Sequence, residues 1–171
     1  MKYKILSKQN NTDKCFVCGM LNDAGTKAMF YNCENENGEK VLLTIIEPQT
    51  IHQSYPNRMH GGIISALLDE SMGRSIQSEH PEVWAVTIDL NVRYRKSTPL
   101  DQTLYIESHV TSLGPKAYDS EGKLFLKDGT ICATAKGKFY IVPYEKLFND
   151  AKLDDNSWFL VKEDLTAYIE I

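Results

Sequence analysis

The sequence predicts an α+β fold in which an antiparallel sheet of five to six strands wraps around one long central helix. Three observations carry this prediction: a stretch at helical spacing that is apolar almost all round, a ten-residue run of clean alternation, and two turn dipeptides that join apolar runs. At 171 residues, with 42% hydrophobic and 25% charged content, the chain suits one soluble domain with a core of its own.

The helix is read over 59–76, MHGGIISALLDESMGRSI. At 100° per residue, Ile63, Ile64, Leu67, Leu68, Ser71, Met72 and Ile76 cover more than half of its circumference, and Ala66 and Gly73 much of the rest. Such a helix belongs inside. Gly61 and Gly62 open it, where unpaired N–H groups point outward and no side chain blocks a ligand, so they suggest an anion or oxyanion site. Glu70 has Arg74 at i+4 as a partner. Asp69 has no basic residue three or four positions away, and a buried unpaired carboxylate is costly. Three readings stay open: Asp69 faces a filled cleft, meets a polar partner from elsewhere in the fold, or is solvated.

Upstream, the alternating run at 27–33 and the apolar run KVLLTII at 40–46 flank Asn37-Gly38, a strong hairpin signal. Residues 48–59 hold two prolines and little periodicity, and a loop of that length leading into a buried helix is often functional. His80-Pro81 stops the helix. In the following WAVTIDLNVRYRKS, Val86, Ile88, Leu90, Val92 and Tyr94 share the core face, while Thr87, Asp89, Asn91, Arg93 and Arg95 share the other. Strands follow at 103–112, 117–127 and 130–142, joined at Gly114-Pro115 and Asp128-Gly129. In the last of these Ile131, Ala133, Ala135, Gly137, Phe139 and Ile141 face one way, and the small residues invite close approach of the helix.

The domain is read as 1–143, with 1–26 as a lead-in that carries a Cys-x-x-Cys loop. Residues 144–171 form an extension, with an acidic turn at Asp154-Asp155 and with Trp158, Phe159 and Leu160 docking it on the domain or on a dimer. One sheet cannot cover the helix on every side, so a second copy is expected to finish the task.

A net charge of −4 and a pI near 5.6 argue against general binding to nucleic acid or to an anionic membrane. The N-terminal MKYKILSKQNNTDK lacks the apolar centre of a signal peptide, and no apolar run of membrane length occurs, so the expected location is cytoplasmic. Cys15, Cys18, Cys33 and Cys132 are expected as free thiols. Cys15-Phe-Val-Cys18-Gly19 has the spacing of half a zinc ribbon or of a redox pair. No second ligand pair exists, and a polar loop with Asn22, Asp23 and Gly25 follows instead of a helix, so the segment is assigned a structural role without metal or cofactor.

CFVCGMLNDAG, HGGIISALLDESMG with an acidic residue nine positions after His60, AVTIDLNVRYRKS and the closing ATAKGKF occur in this order along the chain. Over residues 15–143 the sequence resembles the hotdog-fold acyl-CoA thioesterases of the PaaI-like group. The resemblance implies that Asp69 is the general base or the nucleophile. It also implies that the Gly61 N–H binds the thioester oxygen, that His60 orients the loop or thioester, and that Thr87 holds the water, reaching the site across a dimer. Gly62 and Asn57 fall beside the substrate. Many relatives carry an asparagine six residues before the histidine, where this chain has Ser54; Gln53 and Asn57 are the nearby substitutes. Coenzyme A carries phosphates, for which Arg93, Arg95, Lys96, Lys136 and Lys138 are the candidate cations.

The function expected is hydrolysis of a small to medium or aryl acyl-CoA by a homodimer or a dimer-of-dimers tetramer. A non-catalytic acyl-CoA or acyl-ligand binding protein is the alternative, favoured by Ser54 and disfavoured by Asp69. A hydratase is disfavoured because His60 and Asp69 lie two and a half turns apart.

Overall fold

In chain order the elements are β1 (Lys2–Lys8), β2 (Asn11–Thr12), β3 (Met29–Glu34), β4 (Lys40–Ile46), α1 (Gly61–Ser75), β5 (Ala85–Tyr94), β6 (Leu104–Leu113), β7 (Ala117–Phe125), β8 (Ile131–Ile141), α2 (Tyr144–Phe148), β9 (Trp158–Phe159) and β10 (Tyr168–Glu170). The structure, a computed structural model, describes residues 1–148, 158–159 and 166–171. The expected acidic turn at Asp154-Asp155, Leu160 and the side chains of Trp158 and Phe159, on which the expected docking of the extension rests, lie outside the described residues.

The hairpin turns form as their residues dictate. Asn35 Oδ1 accepts the backbone N–H of Asn37 and of Glu39, each at 3.0 Å, and Gly38 takes a φ of 78° that a side chain would resist. Eight strands make one antiparallel sheet in the order β10-β1-β3-β4-β6-β7-β8-β5. The expected five to six strands fall short by β1 and β10. β10 is the edge strand and β1 its neighbour, only Tyr3 of the two is buried, and the pairing Lys2↔Glu170, Tyr3↔Ile169, Lys4↔Tyr168 is set by contact across the whole chain. That pairing brings the two chain ends together, with the Met1 amino group donating to the Ile171 carbonyl at 2.8 Å and the Ile171 N–H to the Met1 carbonyl at 2.9 Å.

Helix α1 lies across β4, β5, β6, β7 and β8, with Ile64, Leu67, Leu68 and Met72 buried. Close approach occurs where the small residues sit. A Cβ on Gly137 would lie 2.9 Å from the Phe139 ring and 3.2 Å from Met72 Cε, and one on Gly122 would lie 3.1 Å from Met72 Cγ. Ile131 departs from its expected row and is exposed, because the β7–β8 register shifts between Leu124 and Phe125. On the sheet face turned away from α1, Tyr3, Tyr31, Cys33, Val41, Leu43 and Phe125 form a second buried cluster. No helix among the described residues is long and apolar enough to cross a membrane.

One irregularity decides the site. The pairing of β5 with β8 shifts register between Thr87 and Asp89, a bulge that places one extra residue in β5. Leu90 and Val92 pack on the core as expected, but Val86 and Ile88 are 40% and 57% exposed. Thr87, expected on the outward row, turns toward α1.

Candidate active site

The N-terminus of α1 is organised by its cap. His60 has an extended backbone, and its Nδ1 accepts the Gly62 N–H at 2.9 Å, which leaves the ring proton on Nε2. The Gly62 donor is thus spent on the cap. The Gly61 N–H has no acceptor among the described residues. Tyr94, which the pattern reads only as a core residue, donates its hydroxyl to the Gly61 carbonyl at 2.8 Å and pairs with the Ser65 hydroxyl at 2.7 Å. Alternation places Tyr94 on the core face, but the residue is 53% exposed: it stands at the end of β5 against the start of α1, and nothing in the pattern marks its phenol as a partner of the helix end.

A cavity of about 380 Å³ opens here, lined by Ser54, Tyr55, Gly61, Tyr94, Arg95 and Lys96 among others. Ser54 donates its hydroxyl to the Arg58 carbonyl at 3.4 Å, within its own turn. Asn57 has a φ of 54°, donates to Asp101 Oδ2 at 3.1 Å and accepts the Leu100 N–H at 3.3 Å. Its amide ties the loop at both ends, which leaves little of it for a substrate.

Further along α1, Thr87 Oγ1 donates to Asp69 Oδ1 at 2.7 Å. The two come from one chain, whereas the resemblance implies contact across a dimer; the bulge in β5 supplies the reason. Burial pushes the Asp69 carboxyl above the ordinary carboxylate range, the negative charge of Glu70 adds to this, and the Thr87 hydrogen bond opposes it. Asp69 and Thr87 line a cavity of about 290 Å³ together with Gly73, Trp84 and Phe139. Glu70 and Arg74 form part of the same wall, paired at 2.7 Å as their spacing predicts.

Within one chain these two places stay apart. Eight residues of helix separate Gly61 from Asp69, about 12 Å at 1.5 Å per residue. Of the candidate cations, Arg95 and Lys96 border the Gly61 cavity. Arg93, Arg95 and Lys136 line another of about 400 Å³ on the outer sheet face. Lys136 and Lys138 are paired with Glu121 at 2.6 Å and Asp119 at 2.9 Å.

Helix, edge strand and carboxylate all fall inside one matched segment. Residues 57–133 match the thioesterase superfamily. The arrangement of one long helix packed on an antiparallel sheet recurs in the solved structures that align with the chain. The chain is 28% identical to mouse (Mus musculus) acyl-coenzyme A thioesterase THEM4 over 70% of its own length and 49% of the mouse protein. Among solved structures, a thioesterase superfamily protein aligns with a TM-score of 0.62 at 22% identity, over 73% of this chain and 62% of that one. A Bacillus halodurans protein solved with CoA aligns with a TM-score of 0.54 at 27% identity, over 58% of this chain and 70% of that one. The chain spans about half to two thirds of the length of the curated relatives it matches, 49% and 63%.

Proposed function

We propose that the protein is an acyl-CoA thioesterase of the PaaI-like type that works as a homodimer or a dimer of dimers. The observation that carries the reading is the Asp69–Thr87 pair at 2.7 Å on the wall of a cavity, with the carboxylate made more basic by burial. A carboxylate so placed activates water as general base or attacks the thioester carbonyl itself. The open Gly61 N–H, at the positive end of α1, is the donor for the oxyanion that develops. His60 fixes the geometry of that turn through the Gly62 hydrogen bond.

Because Gly61 and Asp69 are a dozen ångströms apart in one chain, the site is completed by a second copy. Strand β5 is the means: it is an edge strand with unpaired backbone on one side and exposed Val86, Ile88 and Tyr94. Antiparallel pairing of two β5 strands about a twofold axis sets the start of one helix toward the middle of the other and makes two equivalent sites. Arg95 and Lys96 at the mouth of the Gly61 cavity suit the phosphates of coenzyme A. The matched superfamily, the activity named for the mouse relative and the CoA in the Bacillus halodurans structure support this reading. Ser54, turned into its own loop, favours the second reading of an acyl-CoA binding protein without catalysis.

Thiol release from a panel of short, medium, long and aryl acyl-CoAs separates the two. Turnover of any member, lost in Asp69→Ala, establishes the esterase and names its acyl class. Acyl-CoA binding without thiol release from either protein establishes the binder.

A further inference from the structure

The Cys15–Cys18 turn does more than fill space. The Gly19 N–H donates to the Cys15 carbonyl at 2.8 Å, and a Cβ at Gly19 would fall 2.2 Å from that oxygen, so the turn closes only with glycine. The Cys15 sulfur accepts the backbone N–H groups of Val17 at 3.3 Å and Cys18 at 3.5 Å. Behind it, Cys18 is buried, with Arg74 Nη2 and Thr12 Oγ1 each 3.3 Å from its sulfur. The two sulfurs and a Glu70 carboxylate oxygen lie within 4.8 Å of one another.

The two thiols differ in kind. A hydrogen bond from the Cys18 thiol, helped by the two backbone donors, holds Cys15 well below the ordinary thiol range, although burial and Glu70 oppose it. The same hydrogen bond and deeper burial push Cys18 up. Cys15 is thus a half-buried thiolate near neutral pH, and Cys18 a protonated thiol in reserve. A divalent metal suits the cluster poorly: Glu70 is already held by Arg74 at 2.7 Å, and the guanidinium stands beside the Cys18 sulfur where the ion would need to be.

We propose that Cys15 and Cys18 form a thiol–disulfide exchange site, Cys15 attacking and Cys18 resolving, whose state is felt through Arg74 and Glu70 at the wall of the Asp69 cavity. The Cys15 thiolate attacks one sulfur of a small-molecule disulfide and releases the other as a thiolate. Cys18 then loses its proton and attacks the Cys15 sulfur, and the second small-molecule thiol departs with that proton. The external disulfide is reduced to two thiols, and the protein dithiol becomes a disulfide. Oxidation removes the negative charge beside Glu70 and changes what Arg74 Nη2 meets, one helical turn from Asp69.

Oxidised glutathione on the full chain is the probe, with alkylation of remaining thiols and peptide mapping as the readout. Of the four cysteines, Cys33 and Cys132, both pushed up by burial, are expected to stay alkylatable under denaturing conditions, while Cys15 and Cys18 disappear into one disulfide. Cys18→Ser is expected to trap one glutathione on Cys15, and Cys15→Ser to trap none. In a Trp158→Phe background, emission of Trp84, which lines the Asp69 cavity, is expected to shift on oxidation and not in Cys15→Ser. Four alkylatable thiols after treatment would overturn the exchange site, as would stoichiometric zinc binding that shields both sulfurs. Unchanged Trp84 emission would overturn the coupling. None of these readouts involves thioester turnover, so they stand or fall apart from the proposed activity; should Cys18→Ser not fold, the wild-type disulfide map still decides.

Discussion

Asp69 and Ser71 stand two residues apart on α1, and the fold treats them in opposite ways. Ser71 is fully buried, donating to the Leu67 carbonyl at 2.7 Å and accepting from Thr44 at 2.9 Å, while Ser108 donates to its carbonyl at 2.9 Å. The hydroxyl and the carbonyl there both have partners, one on α1 itself and two on the strands β4 and β6. Asp69 is half-buried, with Thr87 as its hydrogen-bonded partner and a cavity beside it. A satisfied buried hydroxyl holds structure in place. A desolvated carboxylate with one neutral donor keeps its basicity for something that enters the cavity.

Substitutions test that contrast most sharply at Asp69 itself. Asp69→Ala is expected to lower acyl-CoA turnover by about 100-fold or more while circular dichroism and the melting temperature stay close to wild type. Loss of the fold instead would place Asp69 in the same class as Ser71. Ser71→Val should do the reverse: denaturant titration is expected to show about 1–3 kcal/mol lost, because the Thr44 hydroxyl loses its acceptor, with turnover per folded molecule nearly unchanged. Thr87→Val is expected to cost about tenfold in turnover, in line with the worth of a hydrogen bond to a charged group. It should also move the acid limb of the pH–rate profile upward, since Thr87 is what holds the Asp69 carboxyl down.

The smallest effect concerns stability. The folded state raises the Asp69 carboxyl above its unfolded value, so the folded chain binds that proton more tightly and stability declines as pH rises through the shifted range. Asp69→Asn should therefore melt slightly above wild type at neutral pH. That margin is expected to shrink as pH falls below the folded-state value, a trend that melting curves across acidic pH would check.

Local chemistry made much of this legible. The apolar circumference of α1, the Glu70–Arg74 pair, the two glycine turns and the approach of Met72 to Gly137 all follow from spacing and residue size. Thr87 is the instructive failure. Alternation assigns it outward, and its contact with Asp69 exists because β5 gains one residue against β8, a choice made by the partner strand. Tyr94 was hidden for a related reason, since alternation assigns it to the core and says nothing of a half-exposed ring whose hydroxyl reaches the Gly61 carbonyl. Strands β1 and β10 carry few apolar residues, and their pairing depends on residues more than 160 positions apart.

The meeting of the two chain ends has a mechanical consequence. Met1 and Ile171 sit side by side at one edge of the sheet, so a pull applied between them loads the β1–β10 ladder as a zipper rather than in shear. Register pairs then part in turn from Lys2↔Glu170 inward, each bearing the force almost alone, and rupture begins at low tension. Strand β5, at the opposite edge with Thr87 against Asp69, is the last to feel it.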